Sequence, residues 1–277
     1  MSGRPVAERL SDRDWEILST VRAYRFLTTR QLSRQHFGLT DPTSTIPRPA
    51  NSALARLREM GLLVNLERRI GGVRAGSGGY VWQITDAANK LLAQRLGEEH
   101  RGRRRPSEPS TTFLDHTLAV AEVVITLQES SHDDIAIEHL QLEPDCWRTF
   151  IGTAGEPRTL RPDLRSTSRS GGFTDDYFWE VDRATEAPNR VIRKCLQYQQ
   201  YRDTGAEQRA HEVFPAVVWV VPHARRHEQL QRRLAAAPEI DRRLFTVIRL
   251  DQISDVLRLG ADEFKQRTGG QEGGDPS

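Results

Sequence analysis

RPDLRSTSRSGGFTDDYFWEVDRATEAPNRVIRKCLQYQQY, residues 161–201, is the stretch from which the rest of the chain can be read. It places an acid behind a proline (Pro162-Asp163), two acids one residue apart (Glu180-Val181-Asp182), and then Lys194 ahead of Gln197 and Tyr201. Strand alternation sets Glu180 and Asp182 on one face. Residues 160–164, a turn through Ser168-Arg169-Ser170-Gly171-Gly172, and residues 177–182 read together as a hairpin. Pro188 suits the first turn of a helix running to residue 202. At about 100° per residue, Lys194, Gln197 and Tyr201 lie within about 60° of one another, beside an apolar arc of Val191, Cys195 and Tyr198. Acids followed by a lysine in this order suit phosphodiester chemistry. Hard divalent cations demand oxygen ligands, and a scissile phosphate needs charge neutralisation and an activated water. The plainer alternatives are a solvated acidic face paired with Arg183 or Arg190, and an ordinary helix flank carrying Lys194, Gln197 and Tyr201.

Working outward, Phe113, Leu118, Ala121, Val124, Ile125 and Leu127 follow a helical period to about residue 129, and residues 135–140 form a short strand. Beyond the helix at 188–202, residues 213–221 are nearly all apolar, as a strand covered on both faces would be. A helix (225–236), a strand (244–250) and a last helix (252–259) follow. The order is αβββαβ, then αβ.

The N-terminal third has a different grammar. Ser11 caps a helix over 12–24 with Trp15, Leu18 and Val21 inside. Thr28 or Thr29 opens a second helix ending near Gly38, and a third runs over 50–60 until Gly61 stops it. On the third helix Ala53, Leu54, Leu57 and Met60 make the buried stripe, leaving Asn51, Ser52, Ala55, Arg56 and Glu59 outside. Residues 62–70 and 80–84 read as paired strands around a glycine-rich tip at 71–79, with Arg68, Arg69 and Arg74 on its shoulders. Thr85 caps a short helix to Leu96. Residues 97–110, with Arg101, Arg103, Arg104, Arg105 and two prolines, read as an exposed linker.

The net charge of +2 hides an asymmetry. Residues 1–105 carry 19 Lys+Arg against 10 Asp+Glu, and the remainder 21 against 28. So basic an N-terminal part suits a polyanion, with nucleic acid leading, because each neutralised phosphate releases counterions; solvated surface arginines are the bland alternative. Two cysteines exclude a four-ligand zinc cluster or a disulfide framework. Only three lysines occur against 37 arginines, so Lys194 stands out. No run of about 18 apolar residues spans a membrane and no signal-peptide segment opens the chain, so a cytoplasmic protein is expected.

Three resemblances follow from these residues. Three helices and a basic-shouldered ribbon, with the run LARLREMGLL, resemble a winged helix-turn-helix. That implies double-stranded DNA as partner, with Asn51, Ser52 and Arg56 at the major groove and Arg68, Arg69 and Arg74 on phosphates or the minor groove. Winged helices also serve as protein–protein modules. The αβββαβ order resembles the PD-(D/E)XK, or restriction-endonuclease-like, superfamily. This implies Asp163 and Glu180 as ligands of Mg²⁺ (or Mn²⁺), the Val181 carbonyl assisting, and Lys194 on the following helix replacing the strand lysine. Asp182, which occupies that lysine's position, would take a metal or accept a proton. Glu122 would be an extra acid on the first helix, and Gln197-x-x-x-Tyr201 resembles the DNA-contacting element of RecB-type nucleases.

Taken whole, TTRQL, RLREMGLL, RPDL, FWEVDRATE and KCLQYQQY resemble the replication-relaxation family of actinobacterial plasmids and mobile elements. Glu180, Asp182, Arg183, Thr185, Glu186, Lys194 and Tyr198 sit in its most characteristic block. The resulting expectation is a two-domain α+β/α/β protein. A winged helix-turn-helix would occupy 8–96, a linker 97–110, a restriction-endonuclease-like αβββαβ sandwich 111–262, and a disordered tail 263–277. Its function would be that of a non-catalytic accessory factor or regulator acting on DNA. The alternatives are a Mg-dependent nicking endonuclease at Asp163 and Glu180, or a protein-interaction module. Partners would be DNA, a second copy of the chain, or replication and mobilisation proteins.

Overall fold

The computed structural model describes residues 5–41, 43–66, 80–99, 109–132 and 134–269. The chain divides into two compact units, Met1–Ile125 and Thr126–Ser277. The division falls inside one helix, Thr111–Glu129, whose first part belongs to the first unit. The expected linker ends before that helix and lies mostly outside the described residues.

In the first unit, α1 (Asp12–Tyr24), β1 (Leu27–Thr28), α2 (Thr29–Phe37) and α3 (Arg48–Glu59) are followed by β2 (Leu63–Leu66), β3 (Val81–Ile84) and α4 (Asp86–Leu96). Local chemistry sets the helix starts. Ser11 with Asp14, and Thr28 with Gln31, form reciprocal capping boxes that satisfy orphan N–H groups at the starts of α1 and α2. The strands make an antiparallel sheet in the order β1-β3-β2, with Leu27 opposite Trp82 and Leu63 opposite Ile84. Ile17, Leu18, Leu54, Leu57 and Leu63 are fully buried. The helix α5 (Thr111–Glu129) adds Leu114 and Leu118 to a cluster with Phe26 and Val81. Arg68, Arg69, Arg74 and the glycine-rich segment lie outside the described residues.

In the second unit, β4 (Ile135–Leu142) and the small hairpin β5 (Arg148–Ile151) and β6 (Pro157–Leu160) precede β7 (Leu164–Ser170) and β8 (Phe173–Val181). Then come α6 (Pro188–Asp203), α7 (Ala206–His211), β9 (Ala216–Val221), α8 (Ala224–Ala235), β10 (Phe245–Arg249), α9 (Ile253–Leu259) and α10 (Ala261–Gly269). Five strands form one mixed sheet, β10-β9-β8-β7-β4, antiparallel through β4, β7 and β8 and parallel from β8 to β10. Phe178, Tyr198, Trp219, Leu230 and Phe245 belong to the core cluster that α6 and α8 build over one face. On the other face the Tyr177 hydroxyl reaches the Val256 carbonyl of α9 at 3.4 Å.

Several elements differ from expectation. The strand expected at 160–164 begins where it should have ended, because β7 consists of Leu-Arg-Ser-Thr-Ser-Arg-Ser, a composition that reads as a turn. All of its polar side chains but Arg169 are buried, and three of them find partners on β8. Ser166 Oγ accepts from Trp179 Nε1 at 2.8 Å, while Arg165 and Thr167 donate to Asp176 at 2.9 and 2.6 Å. The turn is Gly171-Gly172, both at positive φ. The β5–β6 hairpin and α7 carry little hydrophobic pattern and were not expected. Residues 263–269, expected in a disordered tail, continue α10, and Phe264 is buried. Replacing Ser166 by alanine should leave the buried Trp179 indole N–H without an acceptor. We expect a loss of about 1–3 kcal/mol in urea unfolding; an unchanged midpoint would show that the bond does not hold the strand.

Candidate functional site

The register of β7 on β8 brings the acids together. Leu164 lies opposite Trp179, so one further step sets Asp163 across from Glu180. The Asp163 amide donates to the Trp179 carbonyl at 3.2 Å, and Val181 N–H donates to Asp163 Oδ2 at 2.7 Å. The next element, α6, leans over this point. Lys194 and Tyr198, one helical turn apart, both reach Glu180. The Lys194 ammonium donates to Oε2 and the Tyr198 hydroxyl to Oε1, the latter at 2.5 Å. Glu180 is 1 % exposed and Asp163 6 %.

Asp182 belongs to a different arrangement. Arg226 of α8, itself buried, clasps it with Nε on Oδ2 at 2.5 Å and Nη2 on Oδ1 at 3.2 Å. The Ala184 amide adds a bond to Oδ1 at 3.0 Å, and Arg226 Nη2 also donates to the Glu186 carbonyl at 2.8 Å. Arg226 thus fastens the β8–α6 connection that sets where α6 begins. A bidentate pair of this kind contributes little net stability, but removing one partner costs about 3–5 kcal/mol because the other charge is left buried.

The electrostatics of the cluster follow from two carboxylates facing one ammonium. Burial pushes the Glu180 carboxyl up to about 8, with the Asp163 charge adding to the rise and Lys194 opposing it. Burial works against the Lys194 charge, yet Glu180 and Asp163 outweigh it and hold its pKa above the ordinary value. Near neutral pH the site therefore holds the Lys194 ammonium beside a Glu180 carboxyl that resists ionisation. A divalent cation fits this set poorly. Both oxygens of Glu180 and both of Asp182 are already committed to donors, and a hard ion needs ionised, available oxygens. Among the described residues, no group of three or more His, Cys, Asp or Glu is placed to hold a metal ion.

The other expected positions separate. Gln197 is exposed, whereas Tyr201 is buried, its hydroxyl donating to Glu207 at 2.5 Å and its ring beside Phe150 and Phe214. The shared projection of Lys194, Gln197 and Tyr201 is not what the helix presents, because Tyr201 lies on the side that packs on the sheet. In the first unit Asn51 and Ser52 are exposed on α3. Arg56 is half-exposed and bonded to buried Asp14 at 2.6 Å, tying α3 to the start of α1. Glu122 likewise pairs with Arg34 and with Gln31 Nε2, the latter at 3.1 Å. Two site residues escaped sequence reasoning. Tyr198 was placed in the apolar arc although its i+4 spacing from Lys194 marked it. Arg226 carried no signal, being one arginine among 37 and remote in sequence.

The geometry defines a mixed α/β protein with a buried carboxylate–lysine–tyrosine cluster at the edge of a parallel crossover. Residues 18–217 match the family model described as replication-relaxation, and the chain belongs to that family. No curated protein matches the chain. Among the described residues no helix is long and apolar enough to cross a membrane.

The raised Glu180 carboxyl has a sign that can be tested. Its folded pKa, about 8, exceeds the ordinary 4.5, so the folded state holds a proton that the unfolded chain releases between those values. The associated stability is complete below 4.5 and is lost as pH rises through 8, by at most about 1.4 kcal/mol per pH unit. Urea unfolding between pH 5 and 9 should show this decline in the native protein and a flatter profile in Glu180→Gln; equal slopes would contradict a protonated Glu180.

Proposed function

We propose that the chain is a DNA-associated accessory factor or regulator in replication or relaxation, whose second unit is a restriction-endonuclease-like core that does not cut. Family membership supports the replication theme. The observation that carries the non-catalytic reading is the consumption of the acids by internal partners: Glu180 by Lys194 and Tyr198, and Asp182 by Arg226. The restriction-endonuclease-like reading is supported by three antiparallel strands in sequence (β4, β7, β8), then a crossover through α6 to a parallel fourth. The β5–β6 hairpin is an insertion between the first two.

The first unit reads as a winged helix, on the strength of the α1-β1-α2-α3-β2-β3 order and the β1-β3-β2 sheet. Its third helix offers double-stranded DNA an outer stripe of Arg48, Asn51, Ser52 and Ala55. Asn51 and Ser52 are polar groups suited to base edges, and Arg48 to a phosphate. Arg56 contributes mainly by fixing the pose of the helix through Asp14. Arg68, Arg69 and Arg74 would add phosphate contacts. The second reading, a nicking endonuclease using Mg²⁺ or Mn²⁺ at Asp163 and Glu180, draws on the same facing pair and on Lys194 beside it.

Fluorescence anisotropy on duplex fragments at several salt concentrations, together with a supercoiled-plasmid assay containing Mg²⁺ or Mn²⁺, separates these readings. We expect affinity to fall steeply with salt. Arg48→Ala should reduce the slope by about one, and Asn51→Ala should cost about 1–3 kcal/mol on preferred sequences. No nicking is expected. Affinity without salt dependence would point to a protein-interaction module, and nicking abolished by Asp163→Ala would establish the nuclease.

A further inference from the structure

We infer that the outer surface of the α6–α8 helical layer holds the phosphate backbone of duplex DNA, giving the second unit a contact of its own. The inference rests on the DNA reading above and extends it to a face which that reading does not use. α6 and α8 lie side by side over one face of the sheet, where Ile192 and Cys195 of the one and Leu230 and Leu234 of the other enter the same core cluster. Their facing sides are joined in order along their length. Arg226 Nη2 donates to the Glu186 carbonyl at 2.8 Å, Arg233 Nε to Asn189 Oδ1 at 3.0 Å, and Gln199 Nε2 to the Glu239 carbonyl at 3.0 Å. With the inner and facing sides so assigned, about 100° per residue turns Arg193 outward on α6, and Arg225, Gln229 and Arg232 outward on α8. All four are exposed.

Charge specifies the occupant. Residues 106–277 carry 28 acids against 21 cations, yet α6 and α8 hold eight of those cations and two of the acids. Lys194 is committed to Glu180 and Arg226 to Asp182. Among the described residues Arg193, Arg225 and Arg232 have no carboxylate partner. The one acid of α8, Glu228, offers Arg232 only its carbonyl, at 3.3 Å. Like charges left unpaired on one surface repel, and a polyanion relieves that repulsion while releasing its counterions. Arg225 and Arg232 stand two turns apart, about 10 Å along α8. Arg193 lies one interhelical spacing away, about 8–10 Å. Guanidinium forks on a rigid layer at such spacings suit the phosphates along one side of a duplex, each of which accepts paired hydrogen bonds. The surface offers little to a protein partner. None of the exposed large apolar side chains of the described residues belongs to α6 or α8, whereas protein interfaces are built around an apolar core.

The test measures binding of the full chain to a random-sequence duplex by anisotropy at several salt concentrations. The variant is Arg193→Ala/Arg225→Ala/Arg232→Ala. Its control, with the same loss of charge, is Arg169→Ala/Arg258→Ala/Arg267→Ala, all exposed positions on other elements. At about 0.9 per phosphate contact, the slope of log affinity on log salt should become shallower by about two to three in the variant and stay near native in the control. Affinity in the variant should fall tenfold or more while circular dichroism shows both proteins folded as the native chain is. An unchanged slope in the variant, or an equal change in the control, overturns the inference. An unchanged slope there beside a reduced one in Arg48→Ala removes this face and leaves the first unit as the DNA-binding part; the reverse result keeps this face and removes the first unit's. No binding of DNA by the native chain overturns both. Binding of poly-glutamate in place of DNA, lost in the variant, would overturn the inference in favour of an acidic protein partner.

Discussion

Withdrawing the Glu180 carboxyl from water is the constraint around which the second unit is arranged. A buried carboxyl is tolerated when its oxygens are satisfied and its charge is either balanced or absent. Here both conditions are met by one helix. Lys194 and Tyr198 lie a turn apart on α6, and each takes one oxygen. That requirement fixes the rotation and height of α6 over β8. Because α6 is the crossover to β9, it also couples the cluster to the parallel half of the sheet. Arg226 performs a parallel task one step along the chain, where Asp182 and the Glu186 carbonyl are gathered into a buried fastening that sets the entry to α6.

Acids in this arrangement have two uses open to them, and they compete. An oxygen that accepts from an ammonium, a phenol or a guanidinium is poorly placed to bind a hard cation, whose ligands must be ionised and free. Asp163 keeps the position a ligand would need, opposite Glu180, but it too accepts from the Val181 amide. The same side chains hold a loop and a helix in place. Lys194, Tyr198 and Arg226 thus tie these acids to the helices packed on the sheet.

Much of this was legible in the sequence where physics is local. The capping residues Ser11, Thr28 and Thr85, the apolar run that becomes β9, and the proline opening α6 each announced an element within a residue or a few. The site was legible in part. Asp163, Glu180 and Lys194 do converge, whereas Tyr201 turned inward because helical angle alone does not say which flank packs on a sheet. β7 was misread because Ser166 and Thr167 are satisfied by Trp179 and Asp176, partners identifiable only once the hairpin exists. Arg226 was invisible for the same reason: its value comes from a contact with Asp182 across 44 residues of sequence.

Calorimetric titration of Mn²⁺ into the protein near neutral pH, with Asp163→Ala and Glu180→Ala alongside, addresses most directly whether the acids are already spoken for. The account predicts no saturable uptake that depends on either residue. One ion bound per chain, and lost in both variants, would contradict it.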